Sequence, residues 1–177
     1  MFGTALRYGA ISGGIIVAVL IAGIVATSEH QTQSSIFSTE WFGYTVMLVA
    51  LSTIFLAIRD YRNKILGGVI KFLPALGLGL SIAFIAGLAY VIGWEFYLYA
   101  THYSFADHYA AAIIEHARRA GTSAQAAAAE AQSFRDGYAN PLIRVPMTFL
   151  EIFPVGVLIA LISAAVLRNP KVLPRRS

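Results

Sequence analysis

The stretch FLPALGLGLSIAFIAGLAYVIGWEFYLY, residues 72–99, decides the fold. It carries no base and a single acid, Glu95, and as a helix rising about 1.5 Å per residue it outreaches the ~30 Å of a bilayer's hydrocarbon. Three further apolar runs read as spans: residues 6–27, 41–58 and 145–167. With 58% of residues apolar or aromatic, 12% charged and a mean hydropathy of +0.68, the composition is that of a membrane protein. The expected fold class is all-α: an integral membrane bundle of four transmembrane helices, with an outer helical hairpin between the third and fourth spans. The chain, residues 1–177, reads as a single membrane domain.

In the first run Arg7 precedes an apolar stretch, and Ala26, Thr27 and Ser28 at its end are small, which resembles a signal peptide. Its apolar core is longer than the 7 to 15 residues typical of that signal, so it is expected to stay as a span. Orientation follows from the bases. Arg59, Arg62 and Lys64 follow the second run, Lys71 precedes the third, and Arg168, Lys171, Arg175 and Arg176 follow the fourth. The positive-inside rule places these and Arg7 in the cytoplasm, with both termini inside. Arg118, Arg119, Arg135 and Arg144 fall in the long second outer segment, where Asp107, Glu115, Glu130 and Asp136 offset them. A net charge of +4 is then accounted for by anchors against anionic headgroups, and the lipid bilayer, not nucleic acid, is the expected partner.

The chain has no cysteine, which excludes disulfides and thiolate metal sites. It also lacks the G-x-x-x-x-G-K-[ST], H-E-x-x-H and G-x-S-x-G patterns, so no common phosphate, zinc-protease or serine-hydrolase chemistry is signalled. The expectation is a protein that is not an enzyme and needs no cofactor.

Small residues recur every fourth position: Ala10, Gly14, Ala18, Ala22 and Ala26 in the first run, Ala75, Gly79, Ala83 and Gly87 in the third, and Gly156, Ala160 and Ala164 in the fourth. In lipid such ridges let helix backbones approach closely. They serve packing within the chain or the seam of a homo-oligomer, and the first use is favoured. The second run is bulkier, with Met47, Phe55 and Leu56, and is expected to face lipid. Trp41, Phe42, Tyr44, Trp94, Tyr97, Tyr99 and Tyr103 are placed as interface anchors.

Residues 104–137 read as an outer insertion of two short helices. Ser104 with Asp107, and Thr122 with Gln125, have the spacing of capping boxes, while Gly121 and Gly137 mark stops. Phe105, Tyr109, Ala112, Ile113 and His116 would share one face, packed on Ala127, Ala131, Phe134 and Tyr138.

Glu95 and Glu151 are the acids inside membrane runs, where a charge costs several kcal/mol, so both are functional candidates. In the predicted topology they share the outer leaflet and could meet across a helix contact, sharing a proton. Arg144, seven residues before Glu151, is the expected counter-ion, and Pro154 is expected to kink the helix beside the acid. Such a site is either a polar lock between helices or an ion pathway. The four histidines, His30, His102, His108 and His116, all fall on the predicted outer side. His102 would continue the helix face of Glu95, and imidazole with carboxylate suits a metal or proton-sensing site, though the spacing matches no recognised ligand pattern.

Several short motifs occur together: Tyr61-Arg62-Asn63-Lys64 before Gly67-Gly68, Gly87-Leu88-Ala89-Tyr90 leading to Gly93-Trp94-Glu95, Tyr138-Ala139-Asn140-Pro141, and Glu151-Ile152-Phe153-Pro154-Val155-Gly156. In this combination the chain resembles, over nearly its whole length, the bacterial membrane family called domain of unknown function 4199. The resemblance implies a bacterial envelope protein in the inner membrane and brings no reaction, cofactor or binding residue with it. Three functions stay open: a transport or ion-coupling component acting through the glutamates, which at this size would need a homo-oligomer, a non-catalytic accessory subunit bound to a membrane-protein partner, and, weakest, an intramembrane hydrolase.

Overall fold

The computed structural model describes residues 1–29 and 40–174, and side chains outside 23–42 within them. His30, Arg175 and Arg176 therefore lie outside the described residues, as do the side chains of Ala26, Trp41 and Phe42. Seven helices follow in order: α1 (Phe2–Glu29), α2 (Glu40–Leu51), α3 (Thr53–Lys64), α4 (Phe72–Ala100), α5 (Ser104–Arg119), α6 (Ala124–Ala139) and α7 (Pro141–Leu167). No strand occurs among the described residues. Four segments are long and apolar enough to cross a membrane: Phe2–Ala22, Gly43–Lys64, Phe72–Ala100 and Pro141–Leu167.

The chain divides into two compact units, Met1–Gly93 with Phe149–Ser177, and Trp94–Thr148. In the first unit, α4 is held against α7 by close backbone approach. A Cβ built on Gly79 would stand 2.7 Å from that of Ala160, and one on Gly156 would stand 2.6 Å from that of Ala83. A Cβ on Gly87 would meet the Phe149 ring at 2.7 Å. The ridges of the third and fourth runs thus interlock within the chain, which is how helices gain dispersion energy in lipid.

The ridge of the first run behaves otherwise. Ala10, Gly14, Ala18 and Ala22 are exposed, and a Cβ on Gly14 would meet nothing within 4 Å. The packed face of α1 lies one residue earlier: Gly9 touches Ile85, Gly13 touches Ala89, and Ala5 and Ile16 are buried. Gly14 and Ala18 are therefore not packing residues of this bundle. Two four-residue ridges run side by side on α1, and only contact with α4 distinguishes them.

The second run also departs from expectation. It is two helices, interrupted at Ser52, whose hydroxyl donates to the Val49 carbonyl. Instead of facing lipid as a whole, it inserts Met47, Ala50, Leu51, Ile54, Ala57 and Ile58 into the core. Across from it, Ser12 and Thr53 are hydrogen-bonded and the Tyr8 hydroxyl donates to Asp60 at 2.9 Å, fixing α1 against α3.

Helix α3 runs on to Lys64, past the point where a loop of basic residues is predicted. It ends in a turn in which Gly68 donates its N–H to the Arg62 carbonyl, with Gly67 at φ 71° and Gly68 at φ 106°. Only glycine holds these angles without strain. Arg62 itself is fully buried. Its guanidinium donates to the carbonyls of Leu167, Val172 and Leu173 at 3.2, 3.0 and 2.5 Å, closing the C-terminal end of α7 with a cation where the helix dipole is negative. Arg62→Met should free three carbonyls and cost about 2–4 kcal/mol, because buried acceptors lose charged donors. Hydrogen exchange should then rise across residues 164–173 more than across α4; uniform protection would contradict this role.

In the second unit, α5 and α6 pack against each other. Ser104 is the first residue of α5, not its cap: the cap position is Tyr103 in the left-handed conformation, with no side-chain cap. For α6 the cap is Ser123, one residue past the predicted Thr122, accepting from the Ala126 N–H at 3.2 Å. Gly121, at φ 73°, ends the connection from α5 as expected. The α6 face with Ala127, Ala131 and Tyr138 buried agrees with the sequence pattern. On α5 the buried positions are Ala110 and Ala117, while Ala112 and His116 are exposed, so the face is rotated by about one residue toward the smaller side chains. Gly137 does not stop α6, which continues to Ala139 before α7 starts at Pro141.

Candidate functional site

The two membrane carboxylates belong to different units, Glu95 to the second and Glu151 to the first. Glu95 lies five residues before the end of α4, about 8 Å along the axis, and belongs to the second unit. It forms a two-point ion pair with Arg144 near the start of α7: Arg144 Nε donates to Oε1 at 2.8 Å and a terminal nitrogen donates to Oε2 at 2.7 Å. The other terminal nitrogen donates to the Tyr138 carbonyl at 2.8 Å. The guanidinium lies over the rings of Tyr103 and Tyr138, 5.4 and 5.8 Å from their centres. Its side chain is 5% exposed, against 30% for Glu95. Planar, paired at its edge and lying over two aromatic rings, this arginine is held as few lysines could be.

Aromatic packing supports the pair. Trp94 Nε1 donates to the Tyr138 hydroxyl at 2.6 Å and its ring meets Phe105 edge-on at 5.0 Å. Phe105, Tyr109, Phe134 and Tyr138 continue as a run of ring contacts between α5 and α6. Trp94 is thus part of this unit's core as well as an aromatic near a helix end. On the surface of α5, Arg118 and Arg119 both donate to Glu115, which holds its carboxyl below the usual carboxylate range.

Glu151 belongs to the first unit and lies ten residues into α7, about 15 Å from its start and so near its middle. This is deeper than the sequence suggests, because α7 begins at Pro141 and not at Val145. Its hydrogen-bond partner is the buried Tyr90, whose hydroxyl donates to Oε2 at 3.3 Å. No Lys or Arg of its unit forms an ion pair with it among the described residues. Glu151 is exposed, and so are Met147, Leu150, Pro154, Leu158, Leu161 and Ile162, which recur at helical spacing on the same side. Arg144, the counter-ion predicted from its spacing to Glu151, is engaged by Glu95.

The histidines take other positions. Helix α4 stops at Ala100, and His102 follows in a left-handed turn at φ 52°, so it does not continue the helix face of Glu95. His102, His108 and His116 are all exposed. Among the described residues no group of three or more His, Asp or Glu side chains is arranged to hold a metal ion.

Among the described residues these features define an all-helical protein with four helical segments of membrane-spanning length and apolarity. The chain belongs to the family described as Protein of unknown function (DUF4199), whose model matches residues 7–169. No curated protein and no solved structure matches it.

Proposed function

We propose that this protein is a non-catalytic subunit of a membrane assembly, and that a partner helix covers the Glu151 face of α7. One observation carries the reading: a carboxylate sits halfway along an apolar, membrane-length helix, inside an exposed apolar stripe, without an ion-pair partner in its own unit. Left against lipid, such a group costs several kcal/mol, and a partner hydroxyl, amide or base relieves that cost. The positions of the basic residues support an inner-membrane orientation with both termini in the cytoplasm, and the family resemblance supports a bacterial source.

A second reading, ion or proton coupling, rests on the same residue. Glu95 is ion-paired with Arg144, whereas Glu151 has a tyrosine hydroxyl as its partner and no base in its own unit. The chain should be purified in mild detergent and its particle mass compared with that of Glu151→Leu. Loss of a stoichiometric partner, or of a second copy, in the variant supports the assembly reading. An unchanged mass, with proton flux into proteoliposomes lost in Glu151→Gln, favours coupling instead. A native chain that is monomeric and carries no flux contradicts both.

A further inference from the structure

The second unit contains a cavity of about 370 Å³ lined by Tyr103, Ala106, Arg135, Tyr138, Pro141 and Arg144. Its lining joins two arginines, two tyrosines and the first turn of α7. We infer that this cavity binds a phosphate group, as the headgroup of an anionic lipid or as free phosphate.

Three features favour phosphate over a neutral ligand. Arg144 presents five N–H donors and uses three of them, on Glu95 and the Tyr138 carbonyl. Arg135 spends its Nε on Asp107 at 3.0 Å, which leaves both terminal NH2 groups for another acceptor, and its side chain is 37% exposed. The positive end of the α7 dipole points the same way, since Pro141 at its first position lines the cavity. Planar guanidinium groups match tetrahedral oxyanions in pairs, and the Tyr103 hydroxyl adds a neutral donor. The volume is in the range of small-ligand sites and holds a phosphate with a glycerol-sized substituent.

Position favours the lipid source. In the chain, Tyr103 comes just after one membrane-length apolar segment, Phe72–Ala100, and Pro141 begins another, and residues flanking such segments are those that meet headgroup phosphates. Arg144 stays paired with Glu95 and fixes the wall, while Arg135, held by Asp107 through Nε, turns its terminal NH2 groups to the ligand.

Native mass spectrometry of the full chain in detergent tests the inference with three probes: dioctanoyl phosphatidylglycerol, the matching dioctanoyl glycerol without phosphate, and inorganic phosphate. Phosphatidylglycerol should be retained over the phosphate-free lipid, and Arg135→Gln should weaken retention roughly tenfold, the effect of losing one charge-assisted contact. Ala106→Phe, which fills the cavity without changing charge, should do the same, whereas Arg119→Gln on the α5 surface should not. Inorganic phosphate binding that depends on Arg135, without lipid binding, supports the same site with free phosphate as its source. Equal binding of all probes by the native chain and both cavity variants, each shown to keep the native melting temperature, overturns the inference.

Discussion

Glu95→Gln should lower the stability of the folded chain by about 2–3 kcal/mol, with nearly all of the loss recovered when Arg144 is also made apolar. Glutamine has almost the shape of glutamate, so packing is kept. What changes is charge: a guanidinium 5% exposed loses its counter-ion, and an amide NH2 is turned toward donors that need an acceptor. The 30% exposure of Glu95 admits water and keeps the loss at the lower end of what breaking a buried pair costs. Arg144→Met removes the cation and leaves the more exposed partner, so it should cost less in charge but also lose the contacts with the rings of Tyr103 and Tyr138. Glu95→Gln with Arg144→Met should approach native stability. Thermal unfolding in one detergent, followed for the native chain, both single variants and the double variant, measures the coupling. Additive losses would mean that the two groups do not act as a pair.

Gly156→Leu should be worse tolerated still, at about 3 kcal/mol or more. Even the first carbon of a side chain there would stand 2.6 Å from the Ala83 Cβ, far inside ordinary contact, with the Ala83 Cα behind it at 3.4 Å. Since α4 backbone lies directly behind, no flexible side chain can yield, and the helices must separate. Gly79→Leu meets the same obstacle in Ala160, at 2.7 Å to Cβ and 3.2 Å to Cα. Gly14→Leu is the matched control: nothing lies within 4 Å of its built Cβ, so the change should be near neutral, within about 0.5 kcal/mol. Equal melting temperatures for Gly156→Leu and Gly14→Leu would contradict the packing described here.

The sequence made the apolar helices legible because the hydrocarbon criterion is one of length and composition, and both are local. It also made the α4 and α7 ridges legible, since small residues at four-residue spacing have few other uses in lipid. The same rule was ambiguous on α1, where Gly9 and Gly13 lie beside Ala10, Gly14 and Ala18, and the choice between adjacent ridges depends on a distant helix. Arg62 was legible as a charge near a helix end but not as the closure of α7, because its acceptors are backbone carbonyls more than a hundred residues away, and carbonyls carry no sequence signal.

In the candidate sites, spacing identified Arg144 as a counter-ion but assigned it by helix face to Glu151. The structure assigns it to Glu95 because Nε and a terminal nitrogen together reach both carboxylate oxygens there. Tyr90, the partner of Glu151, lay inside a motif noted for other reasons and gave no separate signal. His102 was misplaced because the end of α4 depends on a left-handed turn at two residues that rarely adopt it. Two carboxylates that look alike in sequence thus have different environments: Glu95 is neutralised by an arginine, and Glu151 is exposed on an apolar helix with a tyrosine.

Because the native chain has no cysteine, single-cysteine variants at Leu150 and Leu158, which flank Glu151 on the exposed stripe of α7, give the most direct measurement. A bifunctional thiol crosslinker with a photoreactive end, applied in native membranes, should yield one discrete adduct of a second copy or of one partner from both positions. Cysteine at Gly14 serves as the comparison. Reaction with lipid alone at Leu150 and Leu158 would contradict the proposal that a partner helix covers Glu151.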